Sequence, residues 1–268
     1  MIFVGIITCN RPSFFKKCYE SIKKCKNIDH IVVVNDGNEE VVVDKEDTYI
    51  KNKENKGVGI SKNLLFKEAL NRKADHIFLI EDDIIIKNTE VFDHYINAVK
   101  LTGIQHFCFG YHGPANKNGI SGGKPCPRYI IDYGSIKIAI NTHSVGAFCY
   151  YSNKCLEDVG LIDENFTNAF EHVEHSYRIA KGGYTTPYWN WADVADSCNY
   201  LDEIECSEKS STIRPRKDWQ NNIEKAALYF KEKHGVLPAW QNCVPDTSEK
   251  EVKNIMKDIF KKFVRNSP

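Results

Sequence analysis

A chain of 268 residues with 42% hydrophobic and 12% aromatic side chains is too apolar to remain disordered, and it suffices for one large or two small packed domains. Its 36 Lys and Arg balance its 36 Asp and Glu. That gives no global basic field for nucleic acid and no acidic surplus for a basic partner. Ten cysteines are scattered without a CxxC pair, some in apolar runs (Cys108, Cys149), as expected of reduced buried thiols in a reducing compartment.

The first segment, MIFVGIITCNRP, lacks basic residues at its start and turns polar after Thr8. It is too short for a signal peptide core or a membrane span and reads as a first strand. No other stretch is long enough to cross a bilayer, so the expected location is cytoplasmic. The β-branched runs Ile2–Ile7, Ile31–Val34 and Ile77–Ile80 predict three strands. Between them, Phe14–Lys24 carries Phe14, Phe15, Cys18, Tyr19 and Ile22 at helical spacing, with Ser13 as its expected N-cap. Ile60–Leu70 has the same period through Leu64, Leu65 and Ala69. Continuous strands alternating with amphipathic helices predict an α/β fold with a parallel sheet covered on both faces.

Gly110–Gly134 is rich in Gly, Pro, Asn and Lys and reads as a long surface loop of the kind that often carries function. Further strands are expected at Ile136–Ile140 and Ala147–Tyr151, and helices at Asn153–Val159, Glu171–Lys181 and Trp219–Lys233. Val244–Ser248 resembles a linker, and Glu249–Arg265 an amphipathic helix.

In an open parallel sheet, ligands bind at the carboxyl ends of the strands. Each early strand ends in polar residues: Thr8 and Asn10-Arg11, then Asn35-Asp36, then Glu81-Asp82-Asp83. At an effective dielectric of ~20, two carboxylates ~4 Å apart repel by on the order of 4 kcal/mol. A divalent cation relieves this, and hard oxygen ligands suit Mn²⁺ or Mg²⁺, which can then bridge to a diphosphate. Other phosphate motifs are weak or absent. Gly57-Val58-Gly59 has Lys62 where a dinucleotide fingerprint needs its third glycine, and no GxxxxGK[ST] occurs.

The segments VGIITCNRPSFFKKCYESI, HIVVVNDGN, NKGVGISKN, HIFLIEDDIIIKN and GLIDENFTNAFEHVEHSYRIAKGGY, in this order, resemble family 2 inverting glycosyltransferases over about residues 1–190. The resemblance implies the GT-A fold, a Rossmann-like, mainly parallel sheet with helices on both faces. It divides the chain into a domain at about 1–243, with a nucleotide-binding half near 1–105 and an acceptor half near 106–243, followed by a helical extension at 244–268. It implies a nucleotide-sugar donor, with a UDP-sugar expected, and a carbohydrate or glycolipid acceptor. Thr8, Asn10, Arg11 and Asp36 would line the nucleotide pocket, and Lys62 or Asn63 would help hold the nucleotide. Glu81, Asp82 and Asp83 would form the DxD-type element, with Asp83 the direct metal ligand.

An inverting transfer needs a base for the acceptor hydroxyl. Relatives place a Glu-Asp pair at the start of a helix; this chain has Glu171-His172 instead. Either His172 is the base, or Glu171 is the base and His172 orients it. Glu171, His172 and His175 could alternatively hold zinc, since positions i and i+3 share a helix face. His143 and His234 are further candidates to complete a metal site. Arg214 and Arg216 are candidate diphosphate contacts, and Tyr188, Trp189 and Trp191 a candidate sugar platform. The departure at His172 leaves open a catalytically impaired protein that binds nucleotide or sugar without transfer; a sugar nucleotidyltransferase is a more distant alternative. The last helix has three expectations: docking on its own domain, pairing with a second copy, or peripheral contact with an anionic membrane through its Lys-rich face.

Overall fold

The computed structural model describes residues 1–118, 123–204, 211–212, 217–238 and 247–265. Strand β1 (Ile2–Thr8) is followed by helix α1 (Pro12–Ile22), β2 (His30–Asn35), β3 (Thr48–Lys51), α2 (Val58–Asn71), β4 (His76–Glu81), β5 (Ile84–Ile86) and α3 (Val91–Thr102). The next strands are β6 (His106–Cys108), β7 (Lys117–Asn118), β8 (Lys124–Pro125), β9 (Tyr129–Asp132), β10 (Lys137–Asn141) and β11 (Phe148–Ser152). The chain continues through α4 (Asn153–Val159), α5 (Glu171–Lys181), β12 (Trp191–Val194), β13 (Leu201–Glu203), α6 (Trp219–His234) and α7 (Glu249–Phe260), which ends in a π-helical turn at Lys261–Arg265.

The main sheet has the order β3-β2-β1-β4-β11-β6. Its first four strands are parallel, and β11 runs antiparallel between β4 and β6. Residues of β1 alternate between two cores, as a strand covered on both faces requires. Ile2, Val4 and Ile6 pack toward Phe15, Cys18 and Ile22 of α1 and Phe92 and Tyr95 of α3. Phe3 and Ile7 face Leu65, Phe66 and Ala69 of α2. A Cβ at Gly5 would stand 2.9 Å from both Leu65 and Leu79, so a glycine there lets α2 close on the sheet.

The register sets the site. Thr8 pairs with Asn35, Ile7 with Glu81, and Asn35 with Lys51, so the three polar strand ends form one row.

Two expectations change, and the choice left open for the last helix is decided. Helix α1 begins at Pro12 with Arg11 at the N-cap, and Ser13 lies inside the helix; proline's fixed φ suits the first helical position. Among its described residues, Gly110–Gly134 contains the antiparallel β7–β8 pair and strand β9, which pairs antiparallel with β10. Helix α7 docks on its own domain: Val252, Met256 and Ile259 are buried in the same core as α3, each side chain worth about 1.5–3 kcal/mol. Gly103, at φ 77, allows this approach, since a Cβ there would lie 3.0 Å from the Ile259 carbonyl oxygen. Most of the expected linker Val244–Ser248 lies outside the described residues. Among the described residues, no helix is long and apolar enough to cross a membrane, and the eight described cysteines form no disulfide with one another.

Candidate active site

Thr8 ends β1, and its hydroxyl donates to Asp82 at 2.6 Å. Arg11, at the start of α1, donates to both Asp82 and Asp83, the latter at 3.1 Å. One guanidinium thus neutralises much of the acidic triplet, and its own pKa rises, against the effect of burial, through the charges of Asp82 and Asp83. Asp82 is fully buried. Burial pushes its carboxyl up to about 7, against the pull of Arg11 and Thr8. Asp83 behaves in the opposite way: despite burial, the neighbouring His112 imidazole and Arg11 hold it below the ordinary range. Asp83 Oδ1 and His112 Nε2 lie 3.3 Å apart, yet neither buried atom makes a hydrogen bond.

Glu81 points the other way. Its carboxylate accepts from the buried Lys62 ammonium at 2.8 Å, and Lys62 also donates to the Gly146 carbonyl at 3.0 Å and lies 4.0 Å from Glu171. Burial favours the neutral amine, but Glu81 and then Glu171 outweigh it and keep Lys62 charged. Lys62 therefore joins the end of β4 to the start of α5.

At that helix start, His172 Nδ1 lies 3.1 Å from Glu171 Oε1. Burial opposes both charges, but each sustains the other: Glu171 falls to about 2 and His172 rises above the ordinary histidine value. The Glu171 side chain is 7% exposed and that of His172 25%, so the imidazole is the more accessible member. Gly146 makes room for it, since a Cβ there would stand 2.8 Å from His172 Cγ. The backbone before α5 is unusual: Asn168 and Phe170 have φ of 56° and 61°. Such conformations cost energy and concentrate at functional sites. Asn168 also accepts from Val58 N at the start of α2, tying the two helix starts together.

The remaining candidates separate clearly. Asp36 lines the cleft with Thr8, Arg11 and Glu81, and its carboxylate accepts from Asn52 and Asn55 side chains and from Lys56 and Gly57 backbone amides. It thereby shapes the loop leading into α2. Asn10 accepts from the amides of Asn38 and Glu39, fixing the turn after β2. Asn63 is turned from the cleft and joins α2 to Ile162 and Glu164. The zinc arrangement is not formed: His175 is buried, its Nε2 2.8 Å from the Gly160 carbonyl oxygen, and no group of three or more His, Cys, Asp or Glu among the described residues is placed to hold a metal. The histidine beside Asp83 is His112. His234 meets Glu174, and His143 lines an adjoining, mainly apolar cavity. Trp189 and Trp191 meet edge to face at 5.6 Å in a third core cluster, and only Trp189 of the pair lines that cavity. Arg214 and Arg216 lie outside the described residues.

A cavity of about 280 Å³ connects these groups, lined by Glu81, His112, Glu171 and His172. His112, Ser144, Gly146 and Asn168 are site residues that periodicity did not point to. His112 sits in the Gly- and Pro-rich stretch after β6, where only its being a titratable side chain in a long loop was available as a clue.

The mostly parallel sheet with helices on both faces is an α/β fold of GT-A type. Residues 3–99 match the family model of Glycosyl transferase family 2. No curated protein sequence gives a significant match. Among solved structures, TarS 1–349 of S. aureus superposes with a TM-score of 0.56 at 13% identity, covering 99% of this chain and 73% of that one. GalNAc-T7 with UDP, GalNAc and Mn²⁺ superposes with a TM-score of 0.58 at 15% identity, covering 99% of this chain and 56% of that one. These similarities show a shared fold.

Proposed function

We propose that the protein is an inverting, metal-dependent glycosyltransferase that moves a sugar from a nucleotide sugar to a hydroxyl of a glycan or lipid-linked acceptor. The observation that carries this reading is one cavity lined by Glu81 and His112 together with Glu171 and His172. Its donor side lies at the row of strand ends, where Thr8, Arg11, Asp36 and Glu81 line the adjoining cleft. The GalNAc-T7 structure of the same fold holds UDP and Mn²⁺, which makes UDP-sugars with Mn²⁺ the first donors to test.

The general base is His172, with Glu171 as its orienting partner. With Nδ1–H donating to Glu171, Nε2 keeps its lone pair and takes the acceptor proton. The acceptor oxygen bonds to the anomeric carbon as the bond to the diphosphate breaks. Glu171 also stabilises the imidazolium that forms. Asp83 and His112 are the residues that would hold Mn²⁺ or Mg²⁺: they offer an oxygen and a nitrogen, both buried and both without hydrogen bonds. Such an ion supplies positive charge for the leaving diphosphate. Lys62 holds Glu81 and Glu171 at a fixed separation.

Incubation with a panel of nucleotide sugars and Mn²⁺, followed by detection of released nucleoside diphosphate, tests this reading. Release that requires both Mn²⁺ and His172 supports it. Thermal stabilisation by nucleotide without any release would identify a binding protein instead.

A further inference from the structure

Beside the reaction cavity lies a second and larger one, of about 440 Å³, sharing Ser144, Asn168, Phe170 and His172 with it. Its other walls include Val173, Trp189, Trp219 and Ile223. Among the described residues that line it there is no Asp, Glu, Lys or Arg. Two buried donors at its edge lack hydrogen bonds: the Ser144 hydroxyl and the indole N–H of Trp189, a residue only 3% exposed. Trp219 begins α6, and Trp189, with φ 64, precedes β12.

We infer that this cavity binds the acceptor and selects an uncharged pyranose, laid with its apolar C–H face on an aromatic wall formed by Trp219 and Phe170. Pyranose rings present such faces, and aromatic side chains offer a large apolar surface in fixed orientations. A mainly apolar chamber with a few directed polar groups is the usual form of a small-ligand site. The Ser144 hydroxyl and Trp189 N–H are available to sugar hydroxyls, and His172 stands where the two cavities meet. The titratable groups in these walls are His143, which burial keeps neutral, and His172, whose charge is already matched by Glu171. A carboxylate or phosphate placed here would therefore lose its hydration without gaining an unmatched ionic partner, which disfavours acidic acceptors. The inference rests on the transferase reading above, which supplies the reason for an acceptor to lie beside His172.

Two measurements on the full chain test it. Tryptophan fluorescence is titrated with neutral methyl hexopyranosides and with the corresponding methyl uronides. Acceptor and donor KM are then measured for Trp219→Ala, Trp219→Phe and Ser144→Ala. A saturable response to a neutral glycoside and none to its uronide is expected. Trp219→Ala should raise acceptor KM at least tenfold while donor KM stays within twofold, and Trp219→Phe should recover most of the loss. Equal binding of the uronide, no saturable binding of any neutral glycoside, or an unchanged acceptor KM in both Trp219→Ala and Ser144→Ala would overturn the assignment. If no nucleotide sugar is cleaved, the transferase reading fails, and the fluorescence titration still decides what the cavity accepts.

Discussion

His172 Nδ1 lies 3.1 Å from the Glu171 carboxylate, and the imidazole is the more exposed of the two groups. The carboxylate raises the histidine above its ordinary value of about 6.5. A base must be neutral to act, so kcat/KM is expected to rise with pH through a midpoint above that value. Glu171→Gln removes the raising charge and should move the midpoint down. His172→Ala should lower kcat by about 10²–10⁴-fold, the usual worth of a general base. The same pair stabilises the fold most below the ordinary histidine pKa, and this contribution is lost as pH rises through the raised one. A pH–rate profile of Glu171→Gln identical to that of the parent would remove Glu171 from this role.

Asp83 is the second test. If Asp83 and His112 hold the ion, UDP with Mn²⁺ at about 100 times Kd should stabilise the protein by about 2.7 kcal/mol, or roughly 5–10 °C in Tm for a chain of this size. Chelation should reverse the shift. Asp83→Ala should abolish the Mn²⁺-dependent part and His112→Ala should reduce it; retention in Asp83→Ala would place the ion elsewhere. Differential scanning fluorimetry reads all of these.

Glu174 is fully buried on α5 and accepts from Arg178 Nε, Lys233 and His234. The last two residues belong to α6, so a single carboxylate joins the two helices. Removing it takes one acceptor from each of these donors while Lys233 keeps Asp163 and Arg178 keeps two backbone carbonyls, and Glu174→Ala should cost about 1–3 kcal/mol. Urea denaturation measures this; a loss below about 1 kcal/mol would mean that water replaces the carboxylate with little penalty.

Asp163 makes a second tie to α6, accepting from Lys233 at 2.6 Å and Tyr229 at 3.0 Å. Although burial works the other way, Lys233 and then the Asn165 amide and Tyr229 bring its carboxyl down to about 2. Its contribution to stability is therefore present above the ordinary Asp value and is lost as pH falls toward about 2. Asp163→Asn should flatten the loss of stability on that acid limb. An acid denaturation curve parallel to the parent's would show that the tie is not formed in solution.

Asp36 gathers four donors from the segment Asn52–Gly57. Asp36→Asn would set an amide N–H against some of them. An expected cost of about 2–3 kcal/mol should accompany weaker nucleotide binding, because the loop forms a wall of the cleft. Calorimetric titration with UDP and thermal unfolding of this variant check the two effects separately.

The three leading strands were legible because each is a short β-branched run bounded by polar residues. Their polar ends formed one row because parallel pairing leaves little freedom in register. Helix α3 is absent from the sequence expectations although Val91, Phe92, Tyr95, Ile96 and Val99 follow a helical stripe. Site residues on irregular backbone were harder to see. His112 reaches Asp83 because β6 delivers the loop after it to the sheet edge, and nothing in the local sequence records that pairing. Asn168 works through a positive φ and a contact with Val58, 110 residues away in sequence. The Glu171-His172 pair was visible as a departure from the sequences this chain resembles, but only the geometry shows which member is exposed.

The room for the His172 ring is created in a different part of the chain, by the missing side chain at Gly146. These positions should therefore have evolved as a pair. Relatives with a planar ring at the first position of the dyad beyond the glutamate should keep glycine opposite it, whereas relatives with a short aspartate there should tolerate alanine or serine. Replacing His172 by aspartate alone would leave a gap beside Gly146, and adding Gly146→Ala to that variant should restore part of the lost packing while the same change in the parent chain displaces the base.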